Sequence, residues 1–432
     1  MYFDKAEVLE RSKLEKLQVE RLKKTIDLAA NSPYYSESFK KNNINSSVIK
    51  TIHDVKRLPF TTKTDLRSQY PHGLLTKPLD EFVRLHASSG TTGTPTAVFY
   101  TQKDLDTWAD LMARSLYAVG VRRSDILQNM SGYGLFTGGL GIHYGSERLG
   151  CLTIPAGAGN TKRQIKLIRD FNVTALHIIP SFALYFAGKV REEGFNPADM
   201  PWKIALIGAE PHTEYTRHKI EEELHIKAYN SYGLTEMNGP GVAFECTEQS
   251  GMHVWEDSYL AEIIDPKTGE SVPDGEIGEL VMTTLTREGM PIIRYRTRDL
   301  TRFIPGQCKC GRTSKRIDRI VGRADDMLII KGVNIYPMQI ENIIMAMPEV
   351  GQNYLIELFR EGFIDQIKVK VEIKDQYFVE DMRALQGLQK KIASKLRDEI
   401  LVTPRVELVQ HDSIQKSEGK AKRVLDLREV EA

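Results

Sequence analysis

Hydrophobic and polar residues alternate in two different rhythms along the middle of the chain. Between about residues 82 and 282, short apolar runs are separated by longer segments whose apolar residues recur every three or four positions. The short runs predict buried strands, and the longer segments predict amphipathic helices. Strands that alternate with helices predict an α/β domain with a largely parallel sheet and helices on both faces.

The predicted elements of this domain follow from those rhythms. Helices are expected over residues 104–119, 161–170 and 181–192. Strands are expected over residues 82–87, 97–100, 126–130, 173–179, 204–207 and 225–230. Further strands at 259–264, 278–284 and 301–304 are expected to form a more antiparallel part.

The two ends of the chain have their own patterns. Residues 7–30 predict a surface helix, whose near-helical apolar positions are Leu9, Leu14, Leu17, Leu22 and Ile26. The repeat is too short to favour a coiled coil, and the Asn-Ser-Pro sequence at 31–33 is expected to end the helix. Residues 326–432 predict a small α+β unit: a helix that starts at Pro337, strands at 354–358, 366–373 and 405–409, and a helix at 382–400.

Composition and charge limit the function classes. The chain has 432 residues, of which 41% are hydrophobic and 27% charged, as in a soluble globular protein with a large core. Its formal net charge of +1 gives no global field for nucleic acid or for an anionic membrane. No apolar run reaches the length of a membrane span, and the N-terminal residues lack a signal-peptide core. Four cysteines are too few for a disulfide framework, so we expect a cytoplasmic protein.

A hydroxyl-rich stretch follows the first predicted strand of the sheet. It contains Ser88, Ser89, Gly90, Thr91, Thr92 and Gly93. Glycines allow the backbone to approach a ligand closely, and Ser and Thr hydroxyls can donate to phosphate oxygens. The stretch lacks the Gly-Lys-Ser/Thr end of a Walker loop. Taken alone, it fits a phosphate-binding loop and a flexible linker about equally well.

A second glycine-rich stretch, residues 131–141, follows another predicted strand. Its glycine content argues against a helix. Tyr133 and Phe136 stand among small residues and are candidates for lining a pocket for a flat apolar group. The alternative is that both rings fill the core beneath a glycine turn.

Several ordered motifs together carry a family resemblance. They comprise the hydroxyl-rich stretch, Gly208, Ala209, Glu210 and Pro211, the segment from Ser231 to Glu236, the Arg-rich run at 294–299, residues 322–326, and Ser-Glu-Gly-Lys at 417–420. In this order the chain resembles the adenylate-forming superfamily of acyl-CoA synthetases, luciferases and peptide-synthetase adenylation domains. The loop at 131–137 and the Lys-Gly-Val-Asn-Ile-Tyr-Pro sequence at 331–337 are most similar to the phenylacetate-CoA ligase family.

The resemblance implies a fold and a set of ligands. The fold is a large N-terminal domain, residues 1–324, and a small mobile lid domain, residues 326–432, with Asp325 as the hinge. The implied substrates are ATP, coenzyme A and an aryl acid, with Mg²⁺ as cofactor. The acid first becomes an acyl-adenylate and then a CoA thioester. Relatives of this kind also suggest a homodimer.

The resemblance also implies roles for individual residues. The hydroxyl-rich stretch would hold phosphates, Glu236 would bind Mg²⁺, and Lys420 would act at the reacting carboxylate and α-phosphate. Those expected at the nucleotide or coenzyme A are Ala209, Glu210, Pro211, Ser231, Tyr232, Gly233, Thr235, Asp299, Arg323, Lys331 and Gly332, and those at the acid are Gly208, Tyr133 and Phe136. This chain has Thr94 where relatives usually have Lys, so one positive phosphate contact is missing.

The cysteines suggest a second site. Cys308 and Cys310 are one residue apart in a glycine-flanked turn, and Cys246 and His253 lie together upstream. Three thiols and one imidazole make a ligand set for structural Zn²⁺. The alternative is four unrelated groups, with the cysteines buried as small hydrophobic residues. Cys151 lies in an apolar run and is expected in the core.

Three other functions remain open at this level. An adenylating enzyme of this kind could pass its acyl group to a carrier-protein thiol, or an aryl acid such as indoleacetate or benzoate could be the substrate. A nucleotide-binding regulator without catalysis is the alternative from another class. The presence of Lys420, Asp299 and Glu236 together argues against it.

Overall fold

The computed structural model describes residues 2–88, 95–331, 333–361, 364–378, 382–411, 413–414 and 423–428, with the backbone alone at Asn334 and Gln352. Within these ranges, no helix is long and apolar enough to cross a membrane. The α-helices are α1 (Arg11–Ala29), α2 (Pro33–Lys41), α3 (Lys63–Ser68), α4 (Gln102–Ala118), α5 (Thr137–Leu149), α6 (Thr161–Asp170), α7 (Pro180–Glu192), α8 (Glu214–Leu224), α9 (Pro337–Met345) and α10 (Met382–Ile400).

The strands are β1 (Arg84–Ala87), β2 (Ala97–Tyr100), β3 (Ile126–Asn129), β4 (Leu152–Ile154), β5 (Ala175–His177), β6 (Ile204–Gly208), β7 (Lys227–Leu234), β8 (Gly239–Phe244), β9 (Met252–Val254), β10 (Tyr259–Ile264), β11 (Gly278–Thr284), β12 (Tyr295–Thr301), β13 (Phe303–Ile304), β14 (Arg316–Ile317), β15 (Gly322–Arg323), β16 (Leu328–Ile330), β17 (Val333–Ile335), β18 (Val350–Glu361), β19 (Ile364–Ile373), β20 (Arg405–Val409) and β21 (Val424–Asp426). Short 3-10 helices lie at Lys5–Val8, Ser46–Val48, Ile52–Arg57, Leu79–Glu81, Pro197–Asp199, Thr235–Met237 and Asp375–Tyr377.

The chain divides into two compact units. The first comprises Met1–Ile178, Glu193–Ala209 and Ile226–Arg319, and the second comprises Ile179–Glu192, Glu210–His225 and Ile320–Ala432. The second unit therefore includes α7 and α8, which the sequence pattern placed in the N-terminal domain. A hinge at Asp325 stays a prediction.

A nine-stranded mixed sheet forms the centre of the first unit. Its strand order is β13-β14-β9-β8-β7-β6-β5-β3-β4, and the five strands from β7 to β4 run parallel. The βαβ rhythm predicted this parallel part, and the neighbours from β8 to β13 add antiparallel strands. The predicted α/β domain with a largely parallel sheet is confirmed.

The connections between parallel strands change their direction across the sheet at β3. This strand pairs with β4 on one side and with β5 on the other. The segments that leave β3 and β5 therefore diverge, and such a reversal opens a crevice at the carboxyl ends of parallel strands. Asn129 ends β3 directly opposite His177, which ends β5.

The prediction that residues 131–141 contain no helix is wrong, because α5 begins at Thr137. The glycines in this helix serve close packing. A Cβ at Gly141 would lie 2.5 Å from the Trp108 ring, and one at Gly145 would lie 2.3 Å from Met112 Cβ. Both neighbours belong to α4, so the two helices approach at positions where a side chain would clash. Tertiary packing here outweighs the low helix propensity of glycine.

The N-terminal helix begins later than its pattern predicted. Residues 5–8 form a 3-10 turn capped by Asp4 and Glu7, and α1 starts only at Arg11. Leu9 therefore lies outside the helix, whereas Leu14, Leu22 and Ile26 are buried as expected. Gln18 is also fully buried, and its Nε2 donates a 2.9 Å hydrogen bond to Glu256 O. Because Gln18 is polar, the apolar pattern did not identify it as part of the buried face of α1.

The Arg-rich run at 294–299 forms most of β12, which the sequence pattern did not predict as a strand. Both ends of β12 pair antiparallel with β11, and β11 pairs with β10. Arg296 forms an ion pair with Glu279, whose side chain is fully buried. Arg294 likewise pairs with Glu262 at 2.9 Å. Buried partners thus turn a charged run into an interior strand.

The last part of the chain forms the predicted α+β unit. Its four-stranded sheet has the order β20-β19-β18-β21, with β18 and β19 antiparallel and the outer strands parallel to their neighbours. Helices α9 and α10 contribute Ile340, Ile344, Ile392 and Leu396 to a common apolar core with this sheet. The helix α10 and the strand β20 have the predicted bounds.

Candidate active site and cysteine cluster

The end of β5 holds a buried, neutral histidine beside the crevice. His177 Nδ1 lies 2.9 Å from Asn129 Oδ1 and 3.1 Å from Ser131 Oγ. Its side chain is almost completely buried, and loss of solvation lowers the pKa of His177 to about 4. A neutral ring fixed by two polar neighbours holds the start of the glycine-rich loop at the end of β3.

The glycine-rich loop carries its two aromatic side chains outward. Tyr133 is 37% exposed and Phe136 is 55% exposed, so they do not fill the core as the alternative proposed. The Tyr133 hydroxyl is held by Asn129 Nδ2 at 2.9 Å and lies 3.2 Å from His143 Nδ1. The tyrosine is therefore anchored at its polar end to Asn129, the residue that ends β3.

The same loop is bound to the strand that precedes the hydroxyl-rich stretch. The Ala87 amide donates to Leu135 O at 3.0 Å, and His86 Nδ1 lies 3.0 Å from the same oxygen. His86 is buried, and desolvation lowers its pKa. Edge-on contacts with Tyr100 and Trp108 fix its ring. The aromatic loop and β1 thus form one connected structure.

The hydroxyl-rich stretch is described only at its ends. Ser88 closes the base of the loop, because its amide donates to Thr96 O and its hydroxyl accepts from the Thr96 amide, both at 3.0 Å. The other predicted phosphate-binding residues, Ser89, Gly90, Thr91, Thr92 and Gly93, lie outside the described residues. The two hydrogen bonds make β1 and β2 the rigid base of this segment.

The carboxyl end of β6, Gly208, pairs with Ser231 of β7. A Cβ at this position would lie 2.3 Å from Ser231 Oγ, so only glycine allows the two strands to pass so closely. Ser231 also donates to Ile207 O at 3.0 Å. Ala209 follows with a φ of 68° and an exposed side chain, which turns the chain away from the sheet. The turn places the Gly208 and Ala209 backbone at the sheet's edge.

Glu210 and Pro211 belong to the second unit. One Glu210 carboxylate oxygen accepts from the Ser181 amide at the start of α7. An acidic side chain at this position also complements the positive end of the helix. Glu210 therefore has a local structural partner, while the sequence assigned it to the nucleotide.

Tyr232 and Asp299 are brought together from β7 and β12. The Tyr232 hydroxyl donates a 2.6 Å hydrogen bond to Asp299 Oδ2. The Tyr232 side chain is mostly buried, and Gly233 beside it passes so close to Gly239 that a Cβ would lie 2.3 Å from its carbonyl oxygen. A carboxylate offers about four acceptor positions, so Asp299 keeps capacity for further donors.

Glu236 lies in the 3-10 turn after β7, next to Thr235, and is fixed on both sides. Its Oε1 accepts from the Tyr295 hydroxyl at 3.1 Å, and its carbonyl accepts from Arg287 Nη1 at 2.9 Å. Arg287 is buried and also donates to Phe99 O in β2. The buried arginine thus connects the Glu236 turn to the strand that follows the hydroxyl-rich stretch.

The remaining predicted residues lie in the second unit. Arg323 forms a two-pronged ion pair with Asp325, with both N–O distances at 2.9 Å. Lys331 is exposed and has a φ of 51°. Gly332 and Lys420 lie outside the described residues. Arg323, which was predicted to contact the nucleotide, is therefore directly paired with Asp325, the predicted hinge residue.

All four predicted metal ligands converge in the first unit. The ligand atoms of Cys246, His253, Cys308 and Cys310, called the cysteine cluster below, all lie within 4.8 Å of one another. Cys151 lies elsewhere, buried as expected, with its thiol donating to Arg122 O. The cluster brings together segments separated by about sixty residues.

Sequence reasoning missed four residues that organise the site: His86, Asn129, His177 and Arg287. The histidines gave a weak signal, since each is a polar residue within an apolar strand. Tyr295 lay inside a recognised motif but received no role. The partner of each residue depends on strand register, which the sequence does not show.

Two family matches cover most of the chain. Residues 7–285 match the AMP-binding enzyme family, and residues 332–428 match the AMP-binding enzyme C-terminal domain. Both matches agree with the fold predicted from the motifs.

Curated relatives are similar over nearly their full length. The phenylacetate-coenzyme A ligase of Thermus thermophilus is 45% identical, over 99% of this chain and 100% of the relative. The enzyme of the same name from Escherichia coli is 43% identical, over 99% of this chain and 98% of the relative. Among solved structures, a 2-hydroxyisobutyryl-CoA ligase in complex with an acyl-AMP has a TM-score of 0.92 at 29% identity, over 98% of this chain and 92% of that one.

Proposed function

The chain belongs to the AMP-binding enzyme family, and from this premise we propose that it is an ATP-dependent phenylacetate–CoA ligase. In the first half-reaction a carboxylate oxygen of the acid attacks the α-phosphorus of ATP. The bond to the β-phosphate oxygen breaks, and pyrophosphate leaves with the electron pair. In the second half-reaction the CoA sulfur attacks the acyl carbon, the bond to the AMP oxygen breaks, and the thiol proton passes to solvent.

The pairing of Tyr232 with Asp299 carries the nucleotide part of this proposal. A carboxylate oriented by a tyrosine hydroxyl at 2.6 Å can accept hydrogen bonds from both ribose hydroxyls. The Tyr232 ring offers an aromatic face for the adenine. Ser231 and Gly233 flank Tyr232 in β7, and Thr235 begins the 3-10 turn that follows. Gly208 ends the adjacent strand β6, and Ala209 follows it. All of them lie in the first unit.

The charge of the phosphates requires cations and oriented donors. Glu236 would hold Mg²⁺, whose positive charge would reduce the repulsion between two anions. Glu236 fits this role because one carboxylate oxygen is held by Tyr295 and the turn is held by Arg287, so the carboxylate is oriented before a ligand arrives. The hydroxyls of Ser88 and its successors would donate to the phosphates.

The aromatic loop supports an aryl acid as the substrate. Tyr133 and Phe136 are large, partly exposed rings beside the crevice, and such rings gain free energy when a flat apolar group covers them. Phenylacetate has an aryl ring one methylene from the carboxylate. Four curated relatives with the name phenylacetate-coenzyme A ligase, at 43 to 45% identity, support this acid over others.

The second unit supplies the remaining roles. Lys420 would place a positive charge at the α-phosphate during adenylation. After adenylation, a change of backbone torsion at Asp325 would withdraw that lysine and present Lys331 and Gly332 to coenzyme A. Arg323 would then exchange its Asp325 partner for the nucleotide.

Separate assays of the two half-reactions test the proposal. With phenylacetate and Mg²⁺, we expect exchange of labelled pyrophosphate into ATP, and phenylacetyl-CoA on addition of coenzyme A. We expect phenylacetate to exceed indoleacetate, benzoate and 2-hydroxyisobutyrate by at least about tenfold in kcat/KM. A higher kcat/KM for another acid would contradict phenylacetate as the substrate. Absence of pyrophosphate exchange with every acid tested would contradict the proposed ligase function.

Two variants extend this assay. Lys420→Ala should abolish pyrophosphate exchange but leave thioester formation from synthetic phenylacetyl-adenylate, with Lys422→Ala as the matched control. Phe136→Ala should raise KM for phenylacetate, whereas Phe171→Ala, an exposed ring at the end of α6, should not. Equal loss of both half-reactions in Lys420→Ala would contradict the role of this lysine.

The proposed setting is a homodimer in the cytoplasm. ATP and coenzyme A are abundant there, and the four cysteines are all free, as a reducing compartment requires. Sedimentation of the purified protein would test the dimer, and cell fractionation would test the compartment. The cysteine cluster has no part in either half-reaction.

A further inference from the structure

We propose that the cysteine cluster binds one structural Zn²⁺ ion that fixes an edge of the nine-stranded sheet. This site lies outside the groups assigned to adenylation and thioester formation. Its evidence comes from the arrangement of four side chains, the elements that hold them, and the contacts around them.

The distances match a tetrahedral metal site. Cys246 Sγ lies 3.7 Å from Cys308 Sγ, and Cys310 Sγ lies 3.4 Å from His253 Nε2. Zinc bonds of about 2.3 Å to sulfur and about 2.1 Å to nitrogen, at tetrahedral angles, separate two sulfurs by about 3.8 Å and sulfur from nitrogen by about 3.6 Å. A disulfide would need sulfurs only about 2.05 Å apart. The observed spacing excludes a disulfide and fits two ligands of one ion.

The ligand set indicates which metal and which kind of site. Three thiols and one imidazole favour zinc and fill all four tetrahedral positions. Three of the four residues are buried and the fourth is partly buried, so no position is left open for a catalytic water. Among the residues that the structure describes, this is the only such grouping of three or more potential ligands. The site is therefore of the closed, structural type.

A neighbouring hydroxyl orients the histidine. His253 Nδ1 lies 3.1 Å from Ser314 Oγ. A proton on Nδ1 donated to this hydroxyl leaves the Nε2 lone pair facing Cys310. Metal-bound histidines commonly have such a partner on the other ring nitrogen, because it fixes the tautomer and the ring orientation.

The ion would connect two hairpins at one edge of the sheet. Cys246 follows β8 and His253 lies in β9, whereas Cys308 and Cys310 lie between β13 and β14. Strands β9 and β14 pair with His253 opposite Arg316. The ladder here is only two residues long, so it holds few hydrogen bonds. A metal bound by both hairpins supplies the constraint that so short a strand lacks.

Contacts of the Cys310 turn extend this constraint to the start of the chain. Arg312 hydrogen-bonds the Cys310 side chain and donates from Nε to Glu7 Oε2 at 2.6 Å. The Tyr2 hydroxyl donates to Cys310 O at 2.9 Å, and the Thr313 amide donates to Glu7 O. Arg312 also partly balances the net negative charge of three thiolates on one Zn²⁺. Loss of the ion should therefore loosen residues 2–9 together with the sheet edge.

Metal analysis of untagged protein tests the site. We expect about one zinc per chain in the wild type and in Cys151→Ser, whose thiol lies outside the cluster. We expect less than about a tenth of that in Cys308→Ser. A metal-free wild type, or unchanged zinc in Cys308→Ser, would overturn the proposal.

Two measurements on the wild type keep the test decisive if Cys308→Ser fails to fold. Replacement of the metal by Co²⁺ should give the thiolate-to-cobalt charge-transfer absorption of a tetrahedral site. Modification of the cysteines with a mercurial should release zinc in a one-to-one ratio to protein. Two thiols missing from the titration of unreduced, denatured protein would show a disulfide instead and would overturn the proposal.

A structural role of the zinc ion predicts a loss of stability when the ion is removed. Removal of zinc by a chelator should lower Tm and increase amide hydrogen exchange in residues 2–9 and 308–317. Pyrophosphate exchange measured well below that Tm should remain. Loss of exchange with unchanged Tm would contradict a structural ion, and this outcome is independent of which acid the enzyme uses.

Discussion

Tyr232 and Asp299 are joined by a 2.6 Å hydrogen bond between two strands that lie in different sheets. The bond orients a carboxylate at the end of β12 from a tyrosine in β7. The candidate nucleotide site therefore depends on how β7 and β12 lie against each other.

Removal of the Tyr232 hydroxyl should weaken ATP binding. Tyr232→Phe keeps the ring but leaves Asp299 with one donor fewer, and a hydrogen bond to a charged group is worth about 1.5 to 3 kcal/mol. We expect kcat/KM for ATP in pyrophosphate exchange to fall by about tenfold or more, mainly through KM. Tyr215→Phe, an exposed tyrosine in α8, is the control. An unchanged KM for ATP would contradict the role of the pair.

Replacement of Glu236 by a neutral side chain should change the Mg²⁺ dependence of adenylation. Glu236→Gln keeps the size of the side chain and its acceptor toward Tyr295 but removes the charge that Mg²⁺ needs. We expect adenylation to fall by about 100-fold and the Mg²⁺ concentration for half-maximal rate to rise. Tyr295→Phe, which loses only the orienting hydrogen bond, should give a smaller effect of the same kind. Normal Mg²⁺ dependence in Glu236→Gln would place the metal elsewhere.

Restriction of the backbone at Asp325 should separate the two half-reactions. Proline fixes φ, so Asp325→Pro should retain pyrophosphate exchange and lose thioester formation if this residue is the hinge. Both Asp325→Pro and Asp325→Ala remove the ion pair with Arg323. The alanine variant should keep both half-reactions, which distinguishes the torsion from the charge. Full thioester formation in Asp325→Pro would rule out this pivot.

His177 should make folding stability depend on pH. Its folded-state pKa of about 4 lies below the usual 6.5, so the unfolded chain takes up a proton that the folded protein does not. The stability is present above pH 6.5 and is lost as pH falls toward 4, by up to about 3 kcal/mol.

Thermal unfolding between pH 7 and 4 measures this effect. Relative to wild type, His177→Asn should show a smaller decrease in Tm across this range. The exposed His218→Asn should follow the wild-type curve. Parallel curves for wild type and His177→Asn would contradict the prediction.

Local signals in the sequence were sufficient for several elements. The predicted bounds of α6, residues 161–170, match the structure, in which the Asn160 side chain caps the Arg163 amide. The regular apolar spacing of α10 likewise gave its bounds. Such elements depend on residues within one or two turns, which the sequence displays directly.

Other elements depended on partners far along the chain. β12 was missed because Arg296 and Arg298 indicate a surface, whereas both pair with the buried Glu279. The helix at Thr137 was missed because its glycines pack against Trp108 and Met112. In the candidate site, motifs indicated Tyr232 and Asp299 separately, but only strand packing shows their contact. The role of His177 follows from its register with Asn129, which no local pattern encodes.

The contact between Glu7 and Arg312 can form only late in protein synthesis. The two residues are separated by 305 positions, and the Glu7 side chain is fully buried in the finished structure. At ribosomal rates of about 5 to 20 residues per second, Arg312 emerges roughly 15 to 60 s after Glu7. During that interval the glutamate has no arginine partner and must stay hydrated. The first residues translated are therefore among the last to reach their final positions.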